Sequence, residues 1–434
     1  MKLVVTVLTA LVVAVRPAAA GELTLEQAVG LAREQSPQAR IAALGVSEAA
    51  ARAAEARAAF LPMVRVASGY TASDNAVNAF MFALNQGQFA LAGDLNNPPR
   101  WDNFQLSAQV GLNLFNGGRD LANLRAARAA RAGAEFARSA ADQEMVLGVT
   151  RMYLAVLTAQ EAEEAARLAV EAYASAEQVM ASRVENGTAL RTDLLGIQVE
   201  KARAEERLLQ ARNGLALAKE GLRLAIGLDT LGFDEFQSLD EIAPAAPAAV
   251  QAGVRPEVQA QTSFARAAFH EYRAAWAGYL PSISAFAAVD YFRGLTYEHD
   301  NQSWTAGVML NWTVFDGLFT GAAIREKRAR LRAADEGARL ARLQTSVELT
   351  SAAHGVEEAA GRVEVMQRAF DLAAEAVRLT EARFAQGLAL TSQVIDAQNN
   401  LAQTAVGLAQ AKADRILALA QLRRALSVPI LGER

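Results

Sequence analysis

Of the side chains in this 434-residue sequence, His270, His299 and His354 are the best suited to metal binding or proton transfer. A zinc-type site needs three or four such ligands converging, usually visible as pairs a few positions apart. These three histidines are far apart, with no second ligand at metal spacing, so each reads as incidental and no metal site is expected. The chain has no cysteine, which removes disulfides, thiolate ligands, a nucleophilic thiol and the acylated cysteine of a bacterial lipoprotein. No Gly-rich phosphate loop and no G-x-S-x-G elbow occurs. The expectation is a protein that is not an enzyme, holds no cofactor and draws any energy from a partner.

Composition narrows the partners. The 43 basic and 47 acidic residues give a formal net charge of -4 and are spread along the chain, so no basic surface argues for nucleic acid. Residues 1–20 carry Lys2, an apolar run from Leu3 to Val15, and small residues Ala18-Ala19-Ala20 placed for cleavage before Gly21. That pattern is a secretory signal peptide. Its apolar run is short for a spanning helix, and no later stretch supplies the roughly 20 apolar residues one needs.

The elements that must position any site are organised by an internal repeat. Phe60-Leu61-Pro62 matches Tyr279-Leu280-Pro281, whereas Leu114-Phe115-Asn116-Gly117-Gly118 matches Val314-Phe315-Asp316-Gly317-Leu318 at a shorter offset. Arg183 to Gly187 then matches Arg383 to Gly387. The register changes once, through an insertion in the first half within Thr71 to Asn103, read as an external loop. Each half spells helix, two strands, long helix, tight turn, helix, and two copies of such a unit imply a pseudo-symmetric architecture. The boundaries are 21–229 for the first repeat, 230–253 for a linker and 254–434 for the second repeat.

Four segments alternate with period two: about 63–71, 103–115, 282–292 and 303–315. Phe104, Leu106, Ala108, Val110, Leu112 and Leu114 alternate with polar or small residues, as do Trp304, Ala306, Val308, Leu310, Trp312 and Val314. A half-buried soluble sheet shows the same alternation, but about ten residues also suits a tilted bilayer-spanning strand. Lipid tolerates no open sheet edge, and four strands cannot close, because about eight make the smallest membrane barrel. A spanning chain must therefore oligomerise.

Residues from about Arg119 to Arg183 contain no proline and are rich in Ala, Arg, Glu and Leu, which favours one helix of roughly 95 Å. Gly317 to Arg383 repeats that length, and Leu25 to Ala59 and Arg191 to Ile226 are each a little over half of it. Stripes such as Met145, Val149, Met152, Val156 and Val356, Val363, Met366, Phe370 predict side-by-side coiled-coil packing, a core and not a cofactor site.

Taken in order, these pieces resemble the TolC-type outer-membrane efflux protein family across essentially the whole mature chain. The resemblance rests on Leu23-Thr24-Leu25-Glu26-Gln27-Ala28, the Leu-Pro junctions at Pro62 and Pro281, the Leu114 to Gly118 motif, and Arg383-Phe384-Ala385-Gln386-Gly387 followed by Val394-Ile395-Asp396-Ala397-Gln398. It implies a mainly α fold with a small membrane β part, a homotrimer whose 12-stranded β-barrel continues into a 12-helix α-barrel tunnel. It further implies a passive exit duct in outer-membrane lipid, extending into the periplasm. The duct would serve a tripartite efflux or type I secretion system, receiving solutes from an inner-membrane RND, ABC or MFS transporter through a periplasmic adaptor. The competing reading is a soluble periplasmic coiled-coil scaffold.

The resemblance places tip turns at 185–192 and 386–391. It assigns adaptor docking to Arg183, Val184, Gly187 and Thr188 in the first, and to Arg383, Phe384, Gly387 and Leu388 in the second. Both glycines also suit the left-handed C-cap of a helix that ends sharply. The aperture gate falls on Asp193, Gln393 and Asp396. Gln393 stands where the family usually carries an acid, which leaves threefold copies of Asp396 as the charge at the entrance. Asp193, beside Thr192, also fits support of the return helix by capping or through the helix dipole.

Overall fold

A computed structural model describes residues 22–88, 96–242 and 253–430. The signal-peptide assignment and residues 243–252 of the linker lie outside the described residues. The elements are α1 (Leu25–Gln35), α2 (Pro37–Ala58), β1 (Met63–Ser73), α3 (Ala76–Asn85), β2 (Trp101–Asn116), α4 (Arg119–Glu185), α5 (Arg191–Ile226), α6 (Pro256–Trp276), β3 (Ser282–Arg293), β4 (Asp300–Asn311), α7 (Phe319–Ala385) and α8 (Thr391–Ala425). They form two compact units, one from residues 43–138 and 256–343, the other from the described parts of 1–42, 139–255 and 344–434.

In the first unit the strands make one antiparallel sheet in the order β1-β2-β3-β4. A register shift between Asn113 and Phe115 bulges Leu114 out of the β2–β3 ladder. The two sheet-to-helix junctions share one device. Gly117 and Gly118 take positive φ (69 and 79), and Asn116 Oδ1 accepts from the Asp120 N–H at 3.2 Å to start α4. In the second repeat Gly317 and Leu318 take positive φ (66 and 71), and Asp316 accepts from the Thr320 N–H at 2.8 Å to start α7. Hydrogen bonds from the side chain and backbone of Thr320 hold the Asp316 carboxyl below its ordinary range.

The second unit packs helix on helix. Met145, Val149, Tyr153 and Val156 of α4 are buried with Leu222 and Ile226 of α5 and Ala413, Ile416 and Ala420 of α8. The Tyr153 hydroxyl donates to Leu23 O at 2.5 Å and accepts from the Gln237 N–H at 3.1 Å, tying the mature start and the linker to α4. Its burial pushes the phenol up to about 12. Leu23 also bridges to Phe236 in a parallel pairing, so this part of the linker is an extension of that core.

Three expectations are corrected. The helix expected over Leu25 to Ala59 is two helices, broken at Ser36 (φ -59, ψ 128) because the residue before a proline is driven out of the helical region. The insertion expected to be a loop carries α3, ten residues with Asn75 as a side-chain N-cap on the Val77 and Asn78 N–H groups. The fourth strand, expected to reach about residue 315, ends at Asn311, which pairs with Ser282, the first residue of β3. Beyond it β3 has no further N–H to offer, since Pro281 precedes it.

Candidate functional site: the helix-turn tips and the apolar sheet face

The two tips close in the same way. At the first, Gly187 takes φ +69, its N–H donates to Val184 O at 3.1 Å, and the Thr188 N–H donates to Arg183 O at 2.8 Å. At the second, Gly387 takes φ +78, its N–H donates to Phe384 O at 3.0 Å, and the Leu388 N–H donates to Arg383 O at 2.8 Å. This is the left-handed, Schellman-type ending that glycine permits without a Cβ penalty. No atom lies within 4 Å of a Cβ built at Gly187, so its conformation alone demands glycine there.

The predicted docking residues do not all present themselves alike. Phe384 is buried with Met180, Ile197 and Val394, and Val184 packs against that cluster. Arg183 reaches from the first tip to the second, donating to Phe384 O and to Ala385 O, with its guanidinium 5.0 Å from the Phe384 ring centroid. A cation on the last carbonyls of α7 also complements the negative end of that helix. Arg383, its repeat counterpart, is exposed, with no side-chain bond among the described residues. Leu388 is 72% exposed, beside Leu190 and Leu390 at 68% and 69%. The tips therefore offer Arg383 and three leucines outward while Arg183, Val184 and Phe384 hold the tips together.

The predicted gate residues also separate. No side-chain cap bond starts α5, so the capping role weighed for Asp193 is not made, and Asp193 stands in the first turn where the helix dipole favours an acid. At the matching place in α8 it is Gln393 that caps, its Oε1 accepting from the Leu390 N–H at 3.0 Å. Asp396, one turn on, is exposed. Behind it the Tyr173 hydroxyl lies 3.3 Å from both Ile395 O and Asn399 Oδ1, and Arg207 donates to the same Asn399 oxygen at 2.9 Å. Burial first, then Glu200, pushes Tyr173 up to about 12. This Tyr173–Asn399–Arg207 bridge between α4, α8 and α5 was not anticipated; its only trace in sequence is polar residues set among the alanines of those helices.

The sheet has its own chemistry. Pairing sets Val64 opposite Val110, Val66 opposite Ala108 and Tyr70 opposite Phe104; then Leu106 opposite Tyr291 and Ala108 opposite Val289; then Val289 opposite Trp304, Ala285 opposite Val308 and Ile283 opposite Leu310. Directly opposed residues share a face, so the apolar positions of all four strands merge into one surface. Trp304 is 77% exposed and Val64, Val66, Val308 and Leu310 are above 60%. The other face carries Arg65, Gln105, Ser107, Gln109, Asp290, Ser303 and Thr305. The outer edges of β1 and β4 have no partner strand among the described residues.

Among the described residues, no group of His, Asp and Glu is arranged to hold a metal ion, and no helix is long and apolar enough to cross a membrane. Burial, then the nearby Arg125 and Arg273, push the His270 imidazole below its ordinary range.

Comparison with known proteins gives a consistent picture. A family model described as outer membrane efflux protein matches residues 28–228 and 252–428. The alkaline protease secretion protein AprF of Pseudomonas aeruginosa is 23% identical over 296 residues, 65% of this chain. The chain spans 61% of the length of that relative. Among solved structures, the Campylobacter jejuni CmeC outer membrane channel superposes with a TM-score of 0.81 at 14% identity, over 93% of this chain and 85% of that one. CusC, described as forming a transmembrane channel, superposes with a TM-score of 0.80 at 18% identity, over 93% and 92% of the two chains. These likenesses are likenesses of fold.

Proposed function

The chain belongs to the outer membrane efflux protein family, of the TolC type, and we propose that it is one subunit of a passive exit duct in a tripartite efflux or type I secretion system. The observation that carries the proposal is the apolar face, continuous across all four strands and exposed, on a sheet with two open edges. Moving a Val, Leu or Trp side chain out of water is worth about 1.5–3 kcal/mol, so such a face is stable against lipid and costly in solution. Open edges in lipid are costlier still. Three copies, edge to edge, give twelve strands and remove every edge. The residues after Asn311, with Trp312 and Val314 still in alternation, would find in the neighbouring subunit the backbone partners that β3 lacks.

The duct does no chemistry of its own. Solutes would arrive from an inner-membrane pump of the RND, ABC or MFS class through a periplasmic adaptor. The adaptor would meet the tips at Gly187, Thr188, Arg383, Gly387 and Leu388, while Arg183, Val184 and Phe384 keep the tips in shape. Asp396, repeated three times, would set cation preference at the entrance. The name of AprF supports including a polypeptide among the cargoes.

Reconstitution tests the duct directly. Purified protein added to a planar lipid bilayer should produce discrete conductance steps. Protein that stays in solution and never yields a step would remove the duct and leave the soluble periplasmic coiled-coil scaffold, which nothing in the exposed sheet face favours.

A further inference from the structure

Helix α3, with Gln86 and Gly87 after it, folds onto one side of the sheet, and its contacts say which. The side chain of Asn78 in α3 and the backbone N–H of Asn75 both donate to Ser73 Oγ, at 3.4 and 3.1 Å. Just past α3, Gln86 donates to Asp102 O at 2.7 Å and to Asn103 Oδ1 at 3.3 Å, and its amide lies so close over Gly294 that a Cβ there would displace it. Gly87 sits against the side chain of Asn301. Ser73 and Asn103 fall in the alternation of Arg65 and Gln105, Gly294 in that of Asp290, and Asn301 in that of Ser303. The bond to the Asp102 carbonyl is to backbone; the contacts at Ser73, Asn103, Gly294 and Asn301 are therefore on the polar face.

The face of α3 turned to the sheet includes Ala79, which is 1% exposed. The face turned away carries Val77 and Met81, which are 69% and 47% exposed. The helix contains no charged residue. An apolar stripe over the polar side of a membrane sheet points away from lipid, so lipid is not its occupant.

We propose that this stripe packs against its own copies, so that three α3 helices form an apolar constriction across the external mouth of the duct. The inference rests on the trimeric duct reading: if the polar face lines the lumen, α3 lies inside the wall at the end where the hairpins turn. Dimensions allow the contact. Twelve strands about 4.8 Å apart and tilted about 40° place the wall about 12 Å from the axis, and a helix lying along it is about 10–12 Å across with its side chains. The bonds to Ser73 hold the start of α3 and those to Asp102 and Asn103 hold the residue just past its end, so the helix lies along the wall and its exposed residues meet at the axis. An apolar ring of this kind resists wetting and so limits ion flow until the helices part.

The absence of native cysteine makes the test clean. Met81→Cys is introduced, with Val66→Cys on the lipid-facing side as control, and the trimer is oxidised and run boiled without reductant. Met81→Cys should give a disulfide-linked dimer that Val66→Cys does not, and oxidation should lower single-channel conductance about twofold or more, restored by reductant. Val77→Cys, on the same stripe, serves where Met81→Cys does not assemble. A heat-sensitive trimer band with conductance but no Met81 or Val77 crosslink would overturn the constriction and leave the duct standing. Loss of trimer and conductance in the unsubstituted protein would remove the duct reading, and the constriction with it.

Discussion

At the residue scale the two repeats have divided a shared motif between different tasks. Arg183 and Arg383 are equivalent in sequence, yet Arg183 bonds the end of α7 and stacks on Phe384 while Arg383 faces outward. Arg183→Ala should loosen the tip by about 1 kcal/mol, a charged hydrogen bond discounted for its partly exposed site. Arg383→Ala should leave thermal unfolding unchanged but weaken adaptor crosslinking in cells. Equal effects of the two substitutions on unfolding would show that the tip arginines are interchangeable. Asp396 is exposed one turn into α8, and three copies of one acid near an axis attract cations. Asp396→Ala should therefore relieve block by divalent cations in single-channel recordings, whereas unchanged block would make it an ordinary helix residue.

At the element scale the junction motif shows how a repeat tolerates drift. Gly118 at φ 79 has Leu318 at φ 71 as its counterpart. A left-handed residue with a Cβ costs about 1–2 kcal/mol, partly offset because glycine loses more chain entropy on folding. Leu318→Gly should thus stabilise by about 0.5 kcal/mol, seen as a small rise in melting temperature, and Gly118→Leu should do the reverse. A fall on Leu318→Gly would mean that the exposed leucine is packed in the assembled protein. Much of this level was legible in the sequence: proline-free alanine-rich stretches gave α4 and α7, and alternation gave the sheet and its two faces. The break at Ser36 was announced by Pro37 but outweighed by the helical composition around it. Helix α3 was signalled by Val77, Phe80, Met81 and Leu84 at helical spacing, yet ten residues between turn formers read equally as a loop. The reach of Arg183 to a carbonyl 201 residues away depends on which helices become neighbours, which no local pattern encodes.

For the whole molecule, the account turns on whether the four strands meet lipid. Exposed Val365, Leu372 and Leu379 on α7 and Leu209, Leu217 and Leu224 on α5 recur at or near heptad spacing, which is what a helix leaves uncovered when its coiled-coil partner belongs to another chain. The sheet edges and these helix stripes make the same demand for copies of the chain, reached from different elements. The most direct test is carbonate extraction of outer membranes containing the expressed protein, followed by gel mobility with and without boiling. The duct predicts a carbonate-resistant, trimer-sized band that collapses to monomer on heating; release into the carbonate-soluble fraction as a monomer would contradict it.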